Sequence, residues 1–245
     1  MKLLCTAVSW NIHRGRGADG QVDPVRTLRA LEQEVCPRKD LDILALQEAD
    51  EETPPHAGIL DPEAVQHVTG LVHAQTNPRH RWSEHSHGFL GTVLFLRADW
   101  SVHHVDMIDL PGHCHRGAVA LEVDRGGSAL RIISTHLSLW QPLRLVQMRT
   151  LGQYIFRRPK MQTILLGDLN EWRPWGGLAF SPRLIGTPLT GPARATFPVG
   201  RPVLPLDRIL TDVPDSVHEA QVLDGPGIRS CSDHRPLRAR IALAG

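Results

Sequence analysis

Apolar positions along this chain come in short runs, and most runs meet a polar residue at one end. Runs at 3–10, 42–47, 92–97, 118–123, 129–136, 162–167, 206–211 and 236–243 have the length and composition of strands. The last is the plainest. After Pro236, Leu237, Ala239 and Ile241 alternate with Arg238 and Arg240, the pattern of a half-buried strand. Helical spacing appears between some of these runs. At 23–35, Asp23 offers an N-cap, Pro24 takes the first helical position, and Val25, Leu28, Leu31 and Val35 share one face. The same Asp-Pro start opens a second predicted helix at 61–74, and 141–155 is a third. The segment 173–205 holds seven prolines and five glycines and is predicted to be mostly loop.

Two stretches follow one plan. Residues 3–48 read strand, helix, strand and end in Gln47-Glu48. Residues 129–170 do the same and end in Asp168-Leu169-Asn170. The parallel organisation predicts two similar sheet halves packed together. No low-complexity linker divides them, so residues 1–245 are read as a single α/β domain.

Composition narrows the function classes only slightly. Net charge is +1, from 27 basic and 26 acidic side chains, so no global field marks a nucleic-acid or membrane-surface binder. Cys5, Cys36, Cys114 and Cys231 are scattered without a C-x-x-C, which excludes zinc-ribbon and thioredoxin-like readings and points to thiols in a reducing compartment. The apolar start, "LLCTAVSW", is too short for a signal core or a membrane span. The chain is therefore read as a cytoplasmic monomer without a membrane span.

Candidate chemistry lies at the strand ends. Asn11 follows "AVSW", Glu48 follows "ILALQ", His136 follows "RIIST", and Asp168 and Asn170 follow "TILLG". Asp207 opens one strand, and Asp233 and His234 precede the last. One such residue alone is an ordinary turn former or a satisfied histidine. Together they suit a single crevice at the edge of a sheet. Asn11, Glu48 and Asp233 are hard oxygen donors of the kind Mg²⁺ or Mn²⁺ prefers. His136 and His234 can donate to phosphate oxygens, and Asp207 can hold one tautomer of His234. Asp168 can orient or deprotonate water, and Asn170 can hydrogen-bond developing charge.

Four further residues are candidate substrate contacts: Arg14 in a Gly-flanked loop, His87 ahead of the Gly91 strand, Arg116 as a phosphate partner, and Trp172 as a stacking or lipid-facing ring. Each also reads as an ordinary loop, strand-edge or packing residue. Nine of the 14 histidines lie between 67 and 115, including His85-Ser86-His87 and His113-Cys114-His115. Such pairs on a strand put both rings on one face. Surface and loop histidines are the expectation here, with a second metal site as the alternative.

Taken together, "SWNIH" (9–13), "LALQE" (44–48), "STHL" (134–137), "GDLNEW" (167–172), "LDRI" (206–209) and "SDHRP" (232–236) resemble, in order and spacing, the motifs of the endonuclease/exonuclease/phosphatase family. The resemblance runs from Asn11 to His234. It implies a four-layer α/β sandwich, two mixed sheets face to face with helices outside. It implies a Mg²⁺-dependent phosphoester hydrolase, with Mn²⁺ as an alternative ion, working by in-line attack of water. Asn11 and Glu48 would bind the metal with Asp233 nearby. Asp168 and Asn170 would position nucleophile and transition state, Asp207 and His234 would form a dyad, and His136 would contact phosphate. The implied partner is a phosphate ester: a lipid headgroup, an inositol phosphate, a nucleotide or a nucleic acid. Abasic-site members carry tyrosine where this chain has His136, which points away from that branch. Many members place Asn after the glycine that matches Gly91, and here Thr92 follows instead.

Three other readings stand beside this one. A nuclease is disfavoured on long duplexes, since phosphate contacts need clustered cations and only Lys2, Lys39 and Lys160 are lysines. A catalytically inactive binding module on the same fold has no reason to keep the whole constellation. A zinc hydrolase built on the histidine cluster would carry zinc through purification.

Overall fold

The computed structural model describes residues 3–112 and 116–244. Eleven strands are found among them: β1 (Leu4–Asn11), β2 (Ile43–Gln47), β3 (Val72–His73), β4 (Val93–Leu96), β5 (Ser101–Leu110), β6 (Arg116–Arg125), β7 (Ser128–His136), β8 (Gln162–Asp168), β9 (Asp207–Thr211), β10 (Val217–Val222) and β11 (Leu237–Ala242). They form a six-stranded sheet in the order β10-β11-β1-β2-β4-β3 and a five-stranded sheet in the order β5-β6-β7-β8-β9. Both sheets are mixed. In the first, β1 runs parallel to β2; in the second, β7 runs parallel to β8; the remaining ladders are antiparallel. The helices are α1 (Pro24–Ala30), α2 (Pro62–Thr69), α3 (Gln141–Arg157), α4 (Pro182–Ile185) and α5 (Pro226–Cys231).

Apolar alternation explains the layering. One set of side chains meets between the sheets, with Ala7, Ile43 and Leu94 from the first packed with Leu121, Ile132, Ile164 and Ile209 from the second. The opposite face of the first sheet sends Val8, Trp10 and Leu44 against Leu31, Val65 and Ile228 of the helical layer. The opposite face of the second sends Ala120, Ile133 and Leu165 against Met148, Leu151 and Ile185. The central strands bury both faces, which yields helices, sheet, sheet, helices in sequence across the molecule, the four-layer sandwich expected.

The eight predicted strands are present with ends shifted by no more than two residues. β3, β5 and β10 were not predicted. β5 is an edge strand with its residues 101–109 exposed or half-buried, and its apolar residues Val102, Val105, Met107, Ile108 and Leu110 break strict alternation around a bulge between Val102 and His104. β10 is likewise at an edge, and β3 is two residues long. Asp23 caps α1 by accepting from the Arg26 amide at 3.1 Å. The predicted helix 23–35 continues beyond α1 as a single wider turn over Leu31–Val35. The helix predicted at 61–74 ends at Thr69, because Gly70 adopts a left-handed φ of 75° and the chain turns into β3. α3 runs to Arg157, and 173–205 is mostly loop, with α4 its one helix. Among the described residues no helix is long and apolar enough to cross a membrane.

Candidate active site

The register of the second sheet sets three of the predicted residues in one row. His136 at the end of β7 stands opposite Asp168 at the end of β8, and Asp168 stands opposite Asp207 at the start of β9. Partners in a row share a face, so all three point the same way. The residue before this row is Gly167, with φ 147°; a Cβ there would lie 1.8 Å from the Thr135 carbonyl oxygen. Only glycine admits that approach of β7 to β8.

The first sheet delivers its residues to the same place. Asn11 ends β1, and Glu48 follows β2 with a left-handed φ of 52°, a strained conformation of the kind found at functional sites. Asn11 Nδ2 donates to Asp168 Oδ2 at 3.0 Å and to Glu48 Oε1 at 3.4 Å, linking the sheets. His234 arrives from the turn before β11. Ser232 fixes that turn by donating to the Asn11 carbonyl at 2.7 Å and accepting from the His234 amide at 3.0 Å. Trp10 Nε1 donates to the His234 carbonyl at 3.1 Å.

His234 Nδ1 lies 2.8 Å from Asp207 Oδ2, and its Nε2 lies 3.7 Å from Asp168 Oδ2. Burial works against a charged ring, but Asp207 and Asp168 outweigh it and push the His234 pKa up to about 10. Burial raises the Asp168 carboxyl to about 6, with His234 acting in the opposite direction. His136 behaves differently. Burial, with Arg116, His234 and Arg14 nearby, holds its pKa well below the ordinary value. Arg116 Nη1 donates to His136 Nδ1 at 2.6 Å, so the neutral ring carries its hydrogen on Nε2, 3.3 Å from Asp168 Oδ2.

These groups line a cleft with two lobes, whose shared waist is Arg14, Glu48, Arg116 and His136. The larger lobe, about 390 Å³, holds Asn11, Asp168, Asn170, Asp233 and His234 with the apolar walls Leu139, Trp172, Phe197 and Leu204. The smaller, about 300 Å³, is walled by Glu51, Glu52, His56, Trp82 and Leu90. Asn170 Nδ2 donates to the Leu137 carbonyl at 2.9 Å, and its backbone also sits at a left-handed φ of 52°.

The donor chemistry offers two places for a cation. Glu48 opens on the waist, where Arg14 and Asn11 contact its oxygens, and Asp233 Oδ1 in the larger lobe has no hydrogen-bond partner. This oxygen-rich set suits a hard divalent ion. The other place is the trio Asp168, Asp207 and His234, whose ligand atoms lie within 4.8 Å of one another; Asp207 Oδ1 is also without a partner. An ion there would have to displace the proton that the two carboxylates hold on His234, so the Glu48 set fits Mg²⁺ better.

Of the predicted site residues, eleven line the cleft or, as with Asp207, stand directly behind a residue that does. His87 is the exception. Its ring occupies the space a Cβ on Gly58 would need, its amide donates to Asp50 Oδ1 at 3.3 Å, and it lines neither lobe. The His85-x-His87 pair is split as well, with His85 Nε2 at the surface beside Glu84 Oε1 at 3.2 Å. Among the described residues the sole compact metal-capable group is the Asp168 trio; His113, Cys114 and His115 lie outside those residues. Sequence reasoning passed over Phe197, whose ring centroid is 4.9 Å from that of His234, and Leu139, Trp82 and His56. Leu139 sits three residues beyond His136, a spacing that could have drawn notice; nothing local marks Phe197.

The fold recurs in solved structures. The chain is similar to truncated Caenorhabditis elegans TDP2, at 19% identity with 98% of each chain covered and a TM-score of 0.65. It is similar to the human Nocturnin catalytic domain with bound sulfate anion, at 20% identity, covering 100% of this chain and 97% of that one, with a TM-score of 0.66. A Bacteroides thetaiotaomicron endonuclease/exonuclease/phosphatase family protein matches over 100% of both chains at 14% identity and a TM-score of 0.66. No curated protein sequence matches the chain. The sequence profile of the endonuclease/exonuclease/phosphatase family matches residues 8–234, a span that contains both sheets' contributions to the cleft from Asn11 to His234, and the chain belongs to that family.

Proposed function

We propose that this protein is a divalent-metal-dependent phosphodiesterase or phosphatase acting by in-line attack of water on phosphorus, with residues 1–245 working as one catalytic unit. The observation that carries this reading is the convergence of buried His136, Asp168, Asn170, Asp207 and His234 on a cleft that also receives Asn11 and Glu48 from the other sheet. Glu48 and Asn11, with Asp233, would hold Mg²⁺ or Mn²⁺. When bound, the ion supplies Lewis-acid polarisation of the phosphate and stabilisation of the leaving oxygen.

The chain's own groups divide the remaining work. Asp207 holds the His234 ring in place, and the charged ring presents Nε2–H to a phosphate oxygen. Asp168, ionised at neutral pH, accepts the proton of the attacking water. Asn170 Nδ2 is committed to the Leu137 carbonyl in the resting site, so it turns to an equatorial oxygen only as charge develops. Neutral His136 donates from Nε2, and Arg116, which fixes that tautomer, adds positive charge beside the phosphate. Arg14 neutralises Glu48 until a cation replaces it.

Nucleic-acid cleavage is the second reading. Exposed Trp172 on the cleft wall offers a stacking face, and D. rerio TDP2, similar in fold, was solved with a single strand DNA product. The buried free thiols Cys5, Cys36 and Cys231 support a reducing compartment such as the cytoplasm, and a monomer suffices because every site residue comes from one chain. The test is a panel of phospholipids, inositol phosphates, nucleotides and oligonucleotides with Mg²⁺ and with Mn²⁺. Hydrolysis that stops on chelation supports the reading. Turnover of none of them, or turnover indifferent to chelation, overturns it.

A further inference from the structure

Behind Asn170 lies a charge cluster that the proposed chemistry does not use. Glu171 is fully buried, and Arg144 and Arg208 are each 1% exposed. Arg173 Nε donates to Glu171 Oε1 at 2.6 Å and Arg173 Nη2 to Oε2 at 2.9 Å, a bidentate fork. Arg144 Nε stands 3.4 Å from the same carboxylate. Replacing such a buried network by apolar residues is often neutral or stabilising, so stability alone gives little reason for it. Its outer contacts supply another reason.

Every arginine reaches a loop that walls the larger lobe. Arg144 Nη1 donates to the Ser138 and Leu139 carbonyls at 2.8 and 2.9 Å. Arg208 Nη2 donates to the Arg173 carbonyl at 2.8 Å, and its Nε donates to that of Pro205 at 2.8 Å. The Arg173 guanidinium carbon lies 5.3 Å from the centroid of the Trp172 ring. The ring is half exposed and stands on a loop, with the Arg173 guanidinium against its face.

We propose that Glu171, acting through Arg173 and Arg144, is a positioning residue that fixes Trp172 and Leu139 as a rigid wall for the organic arm of the substrate. The role rests on the phosphodiesterase reading above, and it adds that the organic arm lies in the larger lobe, whose wall includes Trp172 and Leu139. A preset wall spares the substrate the cost of ordering the ring on binding.

The test uses the full chain labelled with 5-fluorotryptophan, whose six tryptophans give separate ¹⁹F signals, with Trp172 assigned by its loss in Trp172→Phe. Glu171→Gln removes the hub. Arg173→Gln, at a more exposed side chain, cuts the link to the ring while leaving Glu171 with Arg144 and keeps the test alive should the first variant fail to fold. The Trp172 signal is expected to shift or broaden in both. KM for bis(p-nitrophenyl) phosphate with Mn²⁺ should rise about tenfold, the scale of one lost aromatic contact, while kcat changes less. A folded Arg173→Gln variant with the Trp172 signal unmoved overturns the proposal, as does a moved signal with unchanged KM. Should the wild type turn over no diester, the phosphodiesterase reading fails; the ¹⁹F signal still reports separately on whether the cluster sets the ring.

Discussion

The units β1–α1–β2 and β7–α3–β8 share a parallel strand pair bridged by a helix, and each is followed by a left-handed residue, Glu48 in one and Asn170 in the other. They equip the cleft differently. β8 lies between β7 and β9, so its terminal Asp168 is flanked by His136 and Asp207 and is shut away from water. Glu48 stands one residue past the β1–β2 ladder and opens on both lobes. The enclosed end is suited to holding and moving protons, where a low dielectric magnifies each charge. The open end is suited to an ion that must exchange water. One connection thus serves two tasks, and the difference is that Asp168 stands within both of its ladders whereas Glu48 stands one residue beyond its own.

The largest effect should come from breaking the enclosed end. His234→Ala removes the charged hydrogen-bond donor to the phosphate and should lower turnover by about 10²–10³-fold with the fold intact. Asp207→Asn should cost a similar order, since it keeps the ring in place but removes the charge that holds the second proton on it. Because the two act as a unit, the double variant should be little worse than either alone. Turnover numbers for all three on one substrate decide this, and losses that multiply would dissolve the dyad.

Breaking the open end should separate ion binding from proton handling. Glu48→Gln should weaken Mg²⁺ or Mn²⁺ binding by at least about 10–100-fold, judged by the effect of lesser changes around metal sites. Calorimetry on the folded variant is the check. Unchanged ion affinity would move the cation to Asp168, Asp207 and His234 and reverse the assignment of the two ends.

The helices of the two units are also anchored differently. At the C-terminal end of α3, Arg158 joins Arg131 of β7 in holding Glu122 of β6, with contacts of 2.8 and 2.9 Å. The Arg158 hydrogen bonds, joined by those of Arg131 and opposed by burial, lower the Glu122 pKa to about 2. A carboxyl depressed on folding adds stability above its unfolded pKa and loses it as pH falls towards the folded one. The contribution, about 1–2 kcal/mol after solvent screening, should therefore disappear between pH values near 4.5 and 2. Thermal melts of wild type and Glu122→Gln should differ at pH 6 and converge in acid; a constant gap across that range would contradict the linkage.

The smallest expected effect concerns helix starts. α1 has its Asp23 cap, whereas Trp140 before α3 makes no side-chain cap bond. Asp23→Ala should cost about 1 kcal/mol, and Trp140→Asp should stabilise by up to a similar amount. Urea titrations would show whether the two changes have opposite signs.

Much of this was legible in the primary structure because its signals are local. Asp23 and Pro24 announce α1 within a few residues. The alternation after Pro236 announces β11, and six polar strand ends in a family's order announce a shared crevice. Edge strand β5 was not legible, because its apolar residues do not alternate strictly along a bulged, half-exposed strand. His87 was misplaced for a related reason: its neighbours in sequence suit a cleft wall, while Gly58, distant in sequence, provides the space its ring fills.

By itself, then, the sequence determined eight of the eleven strands found among the described residues, the starts of α1, α2 and α3, and the candidate residues at the strand ends, since capping and periodicity act between near neighbours. The tertiary structure alone decided the row His136–Asp168–Asp207, the Arg116 bond that sets the His136 tautomer, Phe197 over His234, and the Glu171 cluster behind Trp172. Each joins residues whose meeting depends on register and on which faces the two sheets bury together, and neither quantity is written in any short stretch of chain.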